Sequence, residues 1–220
     1  MLDQISSRGP ESVGRRRHLH EVREAHKALQ LASLHRLASA FILGYHGCDR
    51  RVGERLLVGT AFKPSNNDYD WLGPGIYFWE ANPLRGLEFA EEASRRRTSN
   101  ISMPFVIGAV IELGLCLHLT TSSGLDWVGI TYQSLVDVTH AAALDLPSSS
   151  RDELRRNLDC AVVRRLHTII ETQNLPAIDT LKGVFTEGEP AYPGAGFREK
   201  THIGLWFGTL DASRASFAFL

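Results

Sequence analysis

Two stretches decide how this chain reads: FILGYHG at residues 41–47 and GPGIYFWE at residues 73–80. In the first, the apolar run Phe41-Ile42-Leu43 leads into Gly44, Tyr45, His46 and Gly47. A short apolar run bounded by glycine is the pattern of a buried strand. In the second, a Gly-Pro-Gly turn feeds Ile76, Tyr77, Phe78 and Trp79. β-Branched and aromatic residues of this kind suit a pleated, half-buried surface. The intervening AFKPSNNDYD, residues 61–70, is dense in turn formers and reads as loop.

Working outward, Asn82-Pro83 opens a helix, with Asn as cap and Pro in the first turn. It runs into Arg95-Arg96-Arg97, where cations favour the C-terminal end of the dipole. Phe105 to Glu112 reads as a second core strand, and 125–143 and 151–173 as two helices. Ser150 and Glu153 form a capping box for the second of these. Val184-Phe185 reads as a short strand, EGEPAYPGAG (187–196) as a loop, and 200–219 as a final strand pair. Upstream, Val22, Ala25, Leu29, Ala32 and Leu37 predict one amphipathic helix over 20–40. The sequence thus predicts a flexible polar N-terminus at 1–17 and a single domain over 18–220, with a helical section at about 125–175. The elements do not alternate as βαβα, so the class is α+β.

Composition narrows the field. The chain has 220 residues, 43% hydrophobic and 22% charged, which excludes a mostly disordered polymer. Its 24 basic and 25 acidic residues give a net charge of −1, which argues against a generic polyanion binder while leaving room for a local basic patch. Cys48, Cys116 and Cys160 are dispersed and form no CxxC, so neither a disulfide framework nor a cysteine zinc site is expected. His118, His140 and His167 lack ligand spacing and read as structural or surface residues. The first residues contain no apolar core of a signal peptide, and the most apolar stretch, 105–119, is broken by Glu112 and His118. The expectation is a cytoplasmic protein with no membrane partner. GxGxxG, Walker, GxSxG and HExxH motifs are all missing from the sequence, which removes the common nucleotide, hydrolase and zincin readings.

Three short pieces, taken together, carry more. They are Tyr45-His46-Gly47, Gly75-Ile76-Tyr77-Phe78 and Arg198-Glu199-Lys200-Thr201-His202-Ile203. In this order they resemble the His-Tyr-Glu triad of the diphtheria-toxin-like and poly-ADP-ribose-polymerase-like ADP-ribosyltransferases. The resemblance covers about 41–91 and 183–207. It implies two packed, bent, antiparallel-rich sheets around an NAD cleft, with peripheral helices. It also implies transfer of ADP-ribose from NAD to a macromolecule, protein or nucleic acid, with nicotinamide released. NAD is then a consumed substrate, and no metal is required. A bacterial toxin or defence effector, held by an antitoxin or chaperone protein, is the biological role of this branch.

The chemistry suits the residue types. Breaking the nicotinamide–ribose bond creates an oxocarbenium-like centre, as glycoside cleavage does. On the resemblance, Tyr77 stacks on nicotinamide, the Gly47 main chain pairs with its carboxamide, and His46 holds the adenosine ribose. His46 and Tyr77 are then expected on one cavity wall. Glu199 supports the developing cation and the ribose 2′-hydroxyl. Gly75 belongs to the NAD-binding set, Phe89 forms a second ring wall, Trp71 shields the site, and Arg50 with Arg51 faces the NAD pyrophosphate or a phosphate-bearing acceptor. Glu187, Glu189 and His202 compete with Glu199 for the third catalytic position. The same residues also admit plainer roles: His46 as a core histidine, the aromatic run as sheet packing and Glu199 as a solvated charge. Two other functions remain open on this fold, an NAD glycohydrolase and a non-catalytic NAD- or ADP-ribose-binding module.

Overall fold

The computed structural model describes residues 41–150 and 155–208, and the backbone of 215–218. The polar start at 1–17, the helix expected over 20–40 and Glu153 of the expected capping box lie outside those residues. The described elements are β1 (Phe41–Asp49), α1 (Arg50–Leu57), β2 (Ile76–Glu80), α2 (Pro83–Ser94), β3 (Pro104–Glu112), β4 (Cys116–His118), α3 (Ser122–Ala141), α4 (Asn157–Thr172), β5 (Thr180–Phe185), β6 (His202–Phe207) and β7 (Ala215–Ala218). The fold is α+β, as its sequence predicts. Among the described residues, no helix is long and apolar enough to cross a membrane.

All seven strands join in one sheet, in the order β4-β5-β6-β2-β1-β3-β7, rather than in two packed sheets. The join between the halves is slight. β1 pairs with β3 at nine positions, from Phe41↔Glu112 to Asp49↔Pro104, but with β2 only at Gly44↔Glu80 and Tyr45↔Trp79. β2 continues alongside β6 from Ile76↔Phe207 to Trp79↔Gly204. One continuous ladder therefore holds two nearly separate half-sheets, which part beyond Tyr45 and Trp79.

Register assigns the faces. Tyr45, Tyr77, Trp79, Leu181, His202 and Trp206 share one face; His46, Phe78, Ile107, Leu205 and Phe207 share the other. On the first face, Leu181 and Trp206 pack with Trp127 of α3 and Val163, Leu166 and Ile170 of α4. On the second, Phe78, Ile111, Leu205 and Phe207 form their own core. The helix α2 lies on the first face over the other half-sheet. A Cβ at Gly47 of β1 would run into the Gly86 carbonyl oxygen of α2, so Gly47 is needed for that approach.

Local signals account for most boundaries. The Asn82 side chain accepts from the Arg85 amide, and Pro83 opens α2. α4 starts at Asn157, later than the expected 151, without a side-chain cap. The segment after His46-Gly47, read as loop, contains α1. Its cap, Asp49, is buried and accepts from the amides of Arg51, Ser102 and Met103 and from the Ser102 hydroxyl. The Met103, Ser102 and Arg51 amides, in that order, hold the Asp49 carboxyl well below the usual carboxylate range.

Two measurements test this packing. Gly47→Ala should destabilise the fold by about 1–3 kcal/mol, read from the urea midpoint, because the added methyl meets backbone. Gly129→Ala, in α3 where an added Cβ meets nothing within 4 Å, should stabilise by about 0.5–1 kcal/mol. Equal effects would contradict the tight approach of α2. The depressed Asp49 pKa implies stability that is full above about pH 4 and lost as pH falls further. Asp49→Asn should flatten that acid limb in melts recorded across pH 2–6; an unaltered limb would assign it to other carboxylates.

Candidate functional site

The site begins where β1 and β2 part. In an antiparallel pair, two residues beyond Tyr45↔Trp79 the ladder would set Gly47 against Tyr77. That rung is not formed. The Tyr77 carbonyl instead accepts a 2.8 Å hydrogen bond from His46 Nδ1. A carbonyl only accepts, so Nδ1 carries the proton and Nε2 is the acceptor in the neutral ring. The His46 ring packs against Phe62 at 5.2 Å and Phe78 at 5.5 Å. Burial pushes its pKa down, opposed by the bond to Tyr77, so the ring is neutral at pH 7.

Tyr77 leaves the sheet on the other side. Its hydroxyl donates to the Gly73 carbonyl at 2.6 Å and accepts from the Leu72 amide at 3.0 Å. It thereby ties down the Gly73-Pro74-Gly75 turn, and burial raises its pKa. Trp206 secures the same turn, donating from Nε1 to the Pro74 carbonyl at 2.9 Å. Gly75 lies directly against this indole, where an added Cβ would be 2.0 Å from Nε1. The common wall expected of His46 and Tyr77 is therefore corrected: strand alternation sends their side chains to opposite faces, and only the Tyr77 main chain meets the imidazole.

On the Tyr77 face, between α2 and the loop before α4, aromatic rings follow one another. Phe89 of α2 packs at a tilt against Trp79 at 4.9 Å, Trp79 lies 6.3 Å from His202, and His202 lies 5.6 Å from Phe185. Phe185 is 4.5 Å from Trp71, whose outer face is covered by the Arg156 guanidinium at 4.6 Å. Phe89 is thus a neighbour of Trp79 rather than a wall opposite Tyr77. Trp71 does close one end of the arc.

The charged groups of the site come from α2 and the strand ends beside it. Arg85, buried beneath α2, pairs with Glu187 at 2.7 Å and lies 3.6 Å from Glu92 and 3.8 Å from Glu88. Lys200 bonds Glu92 at 2.7 Å. His202 donates from Nδ1 to the Lys200 carbonyl at 2.8 Å, leaving Nε2 as acceptor. Burial lowers the His202 pKa; the Lys200 carbonyl and Glu187 oppose this, and Arg85 adds to it.

Glu199 does not join this group. It is exposed in the loop before β6, where its amide bonds the Glu189 carbonyl. Glu189 is exposed as well. Of the candidates for the third position, Glu187 and His202 are the two set among the rings and Arg85. Arg50 is also elsewhere, with its guanidinium 5.1 Å above the Phe105 ring. Sequence reading took Trp79 together with Tyr77 and Phe78 as one aromatic wall, and overlooked Phe185 and Arg85. Alternation separates Trp79 and Tyr77 from Phe78, and the helical spacing of Arg85, Glu88 and Glu92 marked a charged face. Among the described residues, no group of three or more His, Cys, Asp or Glu is placed to hold a metal ion.

Comparison with known proteins places little beside this site. No family model matches the chain, and no solved structure matches it. An uncharacterized protein of Methanocaldococcus jannaschii is 47% identical over 61 residues, 27% of this chain. The match spans 28% of that protein's length.

The turn held by Tyr77 offers a direct test. Tyr77→Phe keeps the ring but removes both hydroxyl bonds. It should lower stability by about 1–2 kcal/mol in thermal or urea unfolding. No loss would mean that the Gly73-Pro74-Gly75 turn holds its own shape.

Proposed function

We propose that the chain binds NAD on the Tyr77 face and cleaves it, transferring ADP-ribose to a macromolecule. The observation that carries this reading is the arc of Trp71, Phe185, His202, Trp79 and Phe89 on that face. A flat, cationic pyridinium ring favours aromatic faces. The resemblance to ADP-ribosyltransferases rests on His46-Gly47 and Gly75-Ile76-Tyr77-Phe78, which flank the gap between β1 and β2 on the other side of Trp79.

The roles follow the geometry rather than the motif. Tyr77 and Trp206 fix the Gly73-Pro74-Gly75 turn. His46 is a positioning residue: it satisfies the Tyr77 carbonyl where the strands separate. In the reaction, the bond between the ribose C1′ and the pyridinium nitrogen breaks. Its electron pair stays with the ring, which leaves as neutral nicotinamide. A lone pair of the acceptor forms the new bond to C1′, and the acceptor's proton passes to His202 Nε2. Glu187 and its neighbouring carboxylates favour the positive charge that develops at C1′.

The experiment is nicotinamide release from NAD, with capture of labelled ADP-ribose on macromolecules of a cell extract. His202→Gln should lower release by about a hundredfold or more, the scale for losing a general base. NAD affinity should change little, since the effect lies in the transition state. Glu199→Gln should keep wild-type turnover; the opposite result would return the third position to Glu199. His202 must be neutral to accept a proton, and burial lowers its pKa from the ordinary histidine value. Turnover should therefore be level above neutrality and fall only under acid conditions. Release without labelled macromolecule would indicate a glycohydrolase, and binding without release a non-catalytic module.

A further inference from the structure

The chain carries a net charge of −1, yet arginines gather at one end of its sheet. β1 ends at Asp49, the end at which it has parted from β2. α1 starts there with Arg50 and Arg51, and Arg55 follows one turn later. The loop after α2 returns to the same point. It begins with Arg95, Arg96 and Arg97, and it closes where Ser102 and Met103 bond Asp49 and the Arg50 amide meets the Met103 carbonyl. All six arginines are exposed. Arg51, Glu54, Arg55 and Val58 line an open cavity of about 590 Å³ along α1. Arg51 and Arg55 have no side-chain partner among the described residues, and Asp49, the buried acid nearby, is occupied by its four hydrogen bonds. At the other limit of this rim, Arg96 lies 5.9 Å over the Phe89 ring, which itself packs at a tilt against Trp79 of the aromatic arc.

We infer that this rim binds the phosphodiester backbone of a single-stranded nucleic acid and leads one of its bases to the aromatic arc, making nucleic acid the acceptor of the proposed transfer. The inference rests on that proposed reaction for its product, but not for its binding. Arginine guanidinium groups match phosphate geometry, and cations left unpaired by protein carboxylates are free to exchange counterions for phosphates. A base can present its face to protein rings only outside a duplex stack. A single strand supplies such a base without unpairing, and Arg96 on Phe89 provides the step from backbone cations to aromatic surface.

The test is fluorescence anisotropy of the full chain with a labelled mixed-sequence DNA strand of about 20 nucleotides, without NAD, across about 50–200 mM salt. Binding should weaken steeply with salt. Arg51→Gln with Arg55→Gln should bind at least about tenfold more weakly at low salt and lose about 1.4 from the log–log salt slope, the share of two phosphate contacts. Arg164→Gln, on α4, should bind as the wild type does. Circular dichroism keeps the comparison to folded proteins. An unchanged slope in the double variant, equal displacement by poly-glutamate or a preference for the matching duplex would overturn the inference. The outcome is separable from the proposed reaction: strand binding without NAD cleavage rejects the reaction and keeps the rim, while cleavage without strand binding does the reverse.

Discussion

The hydrogen bond from His46 Nδ1 to the Tyr77 carbonyl is the constraint on which the site depends. A carbonyl left without its strand partner inside a protein needs another donor. Here the donor is a side chain, so β1 and β2 can separate without leaving that group unsatisfied. The separation matters because different helices cover the two half-sheets. α2 approaches β1 as closely as Gly47 permits, whereas α3 and α4 bury Trp206 and Leu181 on the other side. The ground between those helices is floored by Tyr77 and Trp79 of β2 and by His202, Gly204 and Trp206 of β6.

How much of this the sequence discloses depends on the range of the forces involved. β1, β2 and β3 were legible because a continuous apolar run and a glycine-bounded aromatic run are local patterns. The start of α2 was legible because an Asn-Pro pair acts within one turn. α1 was not read, since the cap that organises it gathers Ser102 and Met103 from more than fifty residues away. The single sheet was also hidden. Two rungs, Gly44↔Glu80 and Tyr45↔Trp79, decide between one sheet and two, and pairing between strands leaves no local signature.

The site shows the same division. Placing His46 and Tyr77 close together was correct for the backbone and incorrect for the side chains. They are neighbours through a carbonyl, while alternation in register directs the rings apart. Tyr77 carries a second duty, since its hydroxyl bridges Leu72 and Gly73. The aromatic run could equally be sheet packing, and in part it is: Phe78 is buried in one core, and Tyr77, on the other face, packs against the second.

The displacement of Glu199 follows from electrostatics as much as from register. A carboxylate in water acts through a high dielectric and is screened within about 10 Å. On the proposed reaction it gives little preference to a cation forming among the rings of the arc. Glu187 stands in a drier setting, but its charge is shared with Arg85 at 2.7 Å. Counting the neighbours changes the balance. Arg85 and Lys200 face Glu187, Glu88 and Glu92, so this connected group holds three acids against two bases. It retains a net negative charge beside His202 without leaving any single carboxylate unpaired. Such a group can favour an oxocarbenium-like centre while keeping the buried guanidinium compensated. A lone buried glutamate would meet the same demand only by taking up a proton, and with it would go the charge that makes it useful.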